Sequence, residues 1–518
     1  MSLISQKKKF SILGIFKAKV LLLIMAFGIS HLALSQSKDL ESADELFNSF
    51  SYNKAIKAYK KLIKKGQHTY YCYTKIAKSY SKLNNFEEAA VWYTKCTEHA
   101  DFDSRIYLEL GQELLKAGKQ QEASENFHKY YQQNNMPHQL ASLTFMEYYN
   151  ELMRDSSRYK VTPLEVNTSF DEFGPSLLGN DLVFTSNRPV KSVAKRSDAL
   201  TGQAFFDLYS LNNETREVKE FSKELQTKYN DGPICFSSDS KTAYLTRNAS
   251  YDTREINTLD IFVSQLANDK WSKEVKRLPL RKGNYTVAHA YITRDDKFIY
   301  FSSNMPGGYG GMDLYVCELK NGYLSQPRNL GPVINTAGNE IFPFINSKGT
   351  LYFASDMHPG LGGYDLFFST QADGNFNLPF NIGYPVNTTA DDFSLVMDPG
   401  EASGFFASNR QGGAGGDDIY AVQFIKPLAY CIIDASIHSE EDSTLLSNAL
   451  INITDVETGK MMTIKSNQSG KFNCYLKKDK KYTFEVKRKF YSDFKGVLTP
   501  EELQQYDVLK LNIGLKEK

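Results

Sequence analysis

The sequence predicts a multidomain chain of the α plus all-β class, in the order helical solenoid, five-bladed β-propeller, small β-sandwich. Three observations predict it. Small and aromatic residues recur every 34 positions at helical spacing between residues 38 and 135. A strand-and-turn unit then recurs about every 53 residues as far as residue 425. From residue 428 to 516 the apolar period is two, with turn residues between short runs. Composition agrees, since 34 Phe and 32 Tyr against 2 Trp suit half-buried pleated surfaces.

Residues 1–35 read as an address rather than as fold. Lys7, Lys8, Lys9, Lys17 and Lys19 precede an apolar run from Val20 to Phe27. Ala33-Leu34-Ser35 then supplies a small-x-small cleavage pattern before Gln36. The first cysteine is Cys72, which excludes a lipid-bearing N-terminal Cys. No later run reaches the roughly 18 apolar residues of a spanning helix. The expectation is an exported periplasmic protein, at most peripheral to the outer membrane. Loss of the five leader lysines takes the formal charge from +1 to −4, which argues against a nucleic-acid partner. Six cysteines fall two per region, at 72 and 96, 235 and 317, 431 and 474, either bridged or simply buried.

Within the helical region Ala55, Ala89 and Ala123 form one column, followed four residues later by Tyr59, Tyr93 and Phe127. Ala43, Ala77 and Gly111 form a third column, twelve residues ahead of the first. Small residues let helices approach, and the aromatic fills the space between pairs. The pattern resembles three tetratricopeptide repeats over residues 36–156, with Leu140 to Arg154 expected to cap the open end. Candidate partner-binding residues on the concave side are Tyr71, Thr74, Lys78 and Lys82, then Arg105, Leu108, Gln112 and Lys116. The alternative for these side chains is plain solvation.

The propeller is expected over residues 157–425. Asp-aliphatic-aromatic triplets begin at Asp207, Asp260, Asp313, Asp365 and Asp418, spaced 53, 53, 52 and 53 apart. Each follows an apolar-aromatic strand that ends in a small polar pair, at Asn187, Asn248, Asn304, Asp356 and Asn409. The five units resemble TolB-type, WD-like propeller repeats. The five Asp residues are expected to cap turns by accepting backbone N–H bonds, not to act in catalysis. The clusters GGYGGMD, GLGGYD and GGAGGDD lack the Lys of a phosphate loop and the tandem spacing of calcium turns. Positive φ in the loops is the expected reason for their glycines.

Residues 426–518 resemble the carboxypeptidase-regulatory-like, transthyretin-like sandwich through D-x-x-T-G, S-G-x-F and K-x-Y-x-F. The whole series is similar to periplasmic proteins of the Bacteroidetes, some of which serve type IX secretion and gliding. That family usually adds an OmpA-like peptidoglycan-binding domain, which is not seen here. The resemblance therefore implies attachment through another envelope protein, an outer-membrane protein foremost, with peptidoglycan binding in doubt.

Motifs of catalysis are scarce. The eight His are scattered at 31, 68, 99, 128, 138, 289, 358 and 438, with no H-E-x-x-H, and no G-x-S-x-G precedes a helix. The expectation is a non-enzymatic envelope scaffold with no catalytic residue, metal or cofactor. The alternatives are a glycan- or peptide-binding propeller face lined by aromatics, and a propeller glycosidase or lyase. The last requires paired carboxylates about 5–10 Å apart in a central channel.

Overall fold

The computed structural model describes residues 38–47, 51–83, 85–100, 102–133, 149–150, 152–153, 156–189, 204–227, 229–248, 258–372, 374–377, 379–426 and 430–518. The leader and most of the capping stretch lie outside them. The chain forms two compact units, residues 1–126 and 127–518.

The first unit is helical: α1 (38–47), α2 (Tyr52–Lys64), α3 (Thr69–Lys82), α4 (Phe86–Thr97) and α5 (Arg105–Lys116), with α6 (Gln120–Gln133) crossing its end. From α2 to α5 each helix packs on the next. Helix α2 buries Ala55, Ile56, Tyr59 and Leu62, one face at helical spacing. Gly66 and Gly118 follow α2 and α5 at φ +70° and +76°, where a side chain would be strained. At α4 the Asn85 side chain accepts from Glu88 N–H, 3.3 Å, and Glu87 and Glu88 lie in the first turn. Ala43, Ala55, Ala77, Ala89 and Ala123 are all fully buried.

The second unit is almost wholly β. Five antiparallel sheets follow one another, giving a propeller-like arrangement. Sheet 1 comprises Glu172–Leu178, Asp181–Ser186, Asp207–Leu211 and Val218–Glu220. Sheet 2 is built on Asp231–Phe236, Thr242–Asn248 and Leu259–Ala267, and sheet 3 on Val287–Ile292, Phe298–Ser303 and Asp313–Lys320. Sheet 4 has Glu340–Ile345, Leu351–Ser355, Asp365–Ser369 and Phe380–Asn381. Sheet 5 has Asp392–Met397, Ser403–Ser408 and Asp418–Phe424, and its fourth strand is Tyr159–Pro163 from before sheet 1. The first strand of each sheet lies beside that of the next, and the first strand of sheet 5 lies beside that of sheet 1.

Every first strand carries a β-bulge against its neighbour, at Phe173/Ser176, Asp231/Ile234, Ala288/Tyr291, Ile341/Phe344 and Phe393/Val396. A left-handed residue sits inside each: Gly174, Gly232, His289, Phe342 and Ser394. The bulge bends the strand and sharpens its local twist. Alternation alone did not reveal it.

After sheet 5 come two facing sheets. One has Lys471–Lys477, Tyr430–Ser439 and Val508–Leu515; the other has Met461–Lys465, Leu450–Asp455, Tyr482–Lys487 and Phe494–Leu498. Their core includes Ile433, Ile437, Ile451, Ile453, Phe472 and Val486. A Thr499 capping box opens the helix Pro500–Gln504. Phe380 of sheet 4 packs between Tyr430 and Tyr475, with ring centroids 5.1 and 4.9 Å away, which joins these sheets to the five. All six cysteines are buried free thiols.

Candidate functional site

The five first strands enclose a narrow cavity of about 50 Å³, lined by Gly174–Ser176, Pro233–Cys235, His289–Tyr291, Phe342–Phe344 and Ser394–Val396. No carboxylate lines it. His289 stacks on Phe342 at 3.9 Å, and burial pushes its imidazole down to about 3, so it is neutral. At the end formed by the turns after the first strands, Arg294 of sheet 3 donates to Asp398 O (3.0 Å) and Pro399 O (3.2 Å) of sheet 5. Glu401 accepts there from Asn346 and Ser347 of sheet 4. The Gly-rich loops lie at the other end, the mouth.

The mouth is built in part by a segment that precedes three of the five first strands. Asn167-Thr168, Asn335-Thr336 and Asn387-Thr388 stand four to five residues ahead of Glu172, Glu340 and Asp392. Each Asn amide pairs with both backbone groups of a third-strand residue in the preceding sheet, Ile419, Leu314 and Leu366, at 2.7–3.0 Å. Each Thr donates its N–H and hydroxyl to the buried acid, as at Thr168–Glu172 (both 2.8 Å). The recurring Asn-Thr pair is the signal that would have found this element.

Three of the buried acids also meet an arginine: Glu172–Arg188 (3.0 Å), Asp231–Arg247 (2.6 Å) and Asp392–Arg410 (2.6 Å). Sheet 3 has Val287 and Met305 at the two places, so acid and base are both absent. Sheet 4 keeps Glu340 but has Met357 instead of arginine, and His358 Nε2 lies 2.8 Å from Ile334 O. Glu340 is left with Thr336 and Ser355 alone, and burial pushes its carboxyl up to about 8.

One step nearer the opening, residues 171, 230, 286, 339 and 391 link the sheets. Each accepts the N–H of the residue before the Asp-aliphatic-aromatic triplet of the preceding sheet: Phe206 to Asn230, Leu259 to Thr286, Met312 to Asn339, Tyr364 to Asp391, Asp417 to Asp171. The donors are apolar or aromatic in four sheets. In sheet 5 the donor is Asp417. Burial first, then the charges of Asp171, Asp391 and Asp418, push its carboxyl up to about 7. Asp171 and Asp391 are themselves held by Asn187 and Asn409, each at 2.9 Å. The mouth thus brings Asp417 within electrostatic reach of Asp171 and Asp391. Tyr364 lies near Asp391, and its hydroxyl is pushed up by burial and nearby acids.

The repeated Asp residues lie beneath this mouth, all buried. Asp313 accepts from Tyr309 and Gly310 N–H, Asp365 from Leu361 and Gly362, and Asp418 from Ala414 and Gly415. Asp260 differs, pairing with Arg281 (2.9 Å) and Arg277 (3.3 Å). Asp207 faces Ser186 in the sheet register. The glycines beside them serve close approach more than positive φ. A Cβ on Gly310, Gly362 or Gly415 would lie 2.4, 2.5 or 1.8 Å from a carbonyl of the next sheet's loop.

In the helical unit the groove residues are largely engaged within it. Tyr71 donates to Asp44 (2.9 Å), Lys78 pairs with Glu109 (3.4 Å), Arg105 with Asp103, and Lys116 with Glu113 (3.9 Å). Thr74 donates to Tyr70 O, Gln112 is half-buried and Lys82 is exposed. Leu108 is 2% exposed and belongs to the core, because its side of α5 packs inward; it is no contact surface.

No family model and no curated protein matches the chain. Solved structures do. One is the C-terminal part of a TPR repeat-containing protein from Cytophaga hutchinsonii, with 21% identity over 21% of this chain and 44% of that one, TM-score 0.19. The chain thus spans less than half of that structure. A xylan β-1,4-xylosidase from Bacillus halodurans is similar at 8% identity over 68% of this chain and 95% of its own, TM-score 0.33. A gluconolactonase from Xanthomonas campestris is similar at 13% over 51% and 89%, TM-score 0.31. At such identities the likeness concerns fold alone. The expectation that the chain is no enzyme is nonetheless corrected, because similar structures spanning half the chain or more include several xylosidases and arabinofuranosidases. Scarcity of familiar motifs is no ground for excluding catalysis.

Proposed function

We propose that the five sheets form a five-bladed propeller whose mouth binds a glycan through Asp171, Asp391 and Asp417. The domain ranges then follow the repeats: a leader at 1–35, tetratricopeptide-like helices at 36–156, the propeller at 157–425 and the sandwich at 426–518. One observation carries the reading. Asp417 is the single carboxyl-bearing residue among donors that are otherwise Phe206, Leu259, Met312 and Tyr364, and burial, with Asp171 and Asp391 nearby, pushes it up to about 7. A sugar presents hydroxyls that donate and accept as well as apolar C–H faces. In this arrangement Asp171 and Asp391 accept, a protonated Asp417 donates, and Phe206, Met312 and Tyr364 supply apolar surface. A purely cationic ligand would gain nothing from a proton on Asp417. Cleavage would in addition require two carboxyl groups at the separation of a glycosidase pair, which release of reducing ends tests. In the proposal the protein is exported and held in the envelope by another envelope protein.

The test is an oligosaccharide panel offered to the purified full chain, with binding and release of reducing ends both measured. The expected result is a ligand whose affinity falls at least about tenfold in Asp391→Asn, as loss of a charge-assisted hydrogen bond requires, and by less in Asp417→Asn, which keeps a neutral donor. A ligand bound by both variants as tightly as by wild type, or no ligand at all, overturns the reading.

A further inference from the structure

Helix α2 turns one face to the core and a different one outward. Lys54, Lys57, Lys61 and Lys64 follow one another at steps of three, four and three residues, and all four are exposed. That spacing places them in one row, which at helical rise is about 15 Å long. Among the described residues none of the four has an acid within ion-pairing distance. The neighbouring lysines are used differently: Lys65 pairs with Asp39 at 2.6 Å, and Lys60 lies over the rings of Tyr80 and Trp92.

The residue type narrows the partner. A phosphopeptide is recognised by orientation, with arginine forks on phosphate, and a single-stranded nucleic acid by aromatic rings against its bases. The row has neither. Lysine is a point charge on a flexible stem, suited to a diffuse plane of negative charge. From this we infer that α2 docks the protein on an anionic lipid surface through Lys54, Lys57, Lys61 and Lys64. Each lysine near such a surface contributes about fivefold in affinity, and a rigid helix brings all four down together.

The test is co-sedimentation of the full chain with vesicles of equal parts phosphatidylglycerol and phosphatidylcholine, against phosphatidylcholine alone. Wild type should bind the anionic vesicles at about 0.1 M salt and release them as the Debye length shortens in about 1 M salt. The quadruple Lys→Gln variant, which keeps helix propensity, should bind at least about a hundredfold more weakly. Should it lose helicity, the single variants Lys57→Gln and Lys61→Gln serve instead, each expected to lose about fivefold. Equal binding to neutral vesicles, no binding to anionic ones, unchanged binding by the variants, or preference for polyglutamate or nucleic acid over the vesicles overturns the inference.

Discussion

Burial pushes the Glu340 carboxyl up to about 8 with no arginine beside it; burial also raises Asp231 and Asp392, where Arg247 and Arg410 oppose the rise. The folded value of about 8 for Glu340 stands against an ordinary 4.5, so between these the native state binds more protons than the unfolded chain. Stability from this group is fully present below about pH 4.5 and is lost as the pH rises to about 8. Asp417 acts in the same direction between 3.8 and about 7. Glu340→Gln should leave the unfolding free energy nearly unchanged at pH 5 and raise it at pH 9, by an amount on the order of a few kcal/mol. Denaturant titration at the two pH values checks this, and a variant as pH-dependent as wild type would refute it. None of this was legible in the sequence. Glu340 reads there as one more strand residue, and its register opposite Ser355 shows that Met357 stands where Arg188 and Arg410 stand in sheets 1 and 5.

At the scale of the element, the Gly-rich loop and the Asp that follows it act as one piece. Asp313 accepts on both oxygens, from Tyr309, Gly310 and Asn329. Asp313→Ala leaves three donors without an acceptor and should cost about 1–3 kcal/mol. Asn keeps one acceptor oxygen and turns an amine toward the other donors, so Asp313→Asn should fall between alanine and wild type. Gly310→Ala should destabilise by a comparable amount, since the new Cβ would meet Thr336 O and Ala337 C at 2.4 and 2.5 Å. Thermal unfolding of the three variants in parallel checks the set. The repeat spacing made these loops and their Asp residues visible. It did not reveal why the glycines are there, because the contact is with a loop some 26 residues further on, as from Gly310 to Thr336. Nor did it show that Asp260 answers to two arginines.

For the molecule as a whole, the least visible feature was the strand Tyr159–Pro163, which completes sheet 5 from the opposite end of the repeats. A five-residue strand has too little pattern to declare a partner some 260 residues away. A fragment starting at Ser156 keeps that strand, and one starting at Leu164 exposes the edge Asp418–Phe424. The shorter fragment should unfold several degrees lower and bind a hydrophobic dye; equal midpoints would show that the strand is dispensable. The columns of buried alanine in the helices, the triplets and the final alternating strands were all readable beforehand, because each is a local pattern repeated at a fixed period. The mouth was not, because its parts come from all five sheets and meet only through register.

The direct measurement is the pH dependence of oligosaccharide affinity for the full chain and for Asp417→Asn. With Asp417 as the donor, wild-type affinity should hold below pH 6 and fall by about tenfold per unit above 7, as one proton is lost. Asparagine keeps a donor that does not titrate, so the variant should bind more weakly at pH 6 and show no fall between 6 and 9. A wild-type profile that is flat across this range, or a variant that still falls, would contradict the assignment of the mouth as the binding site.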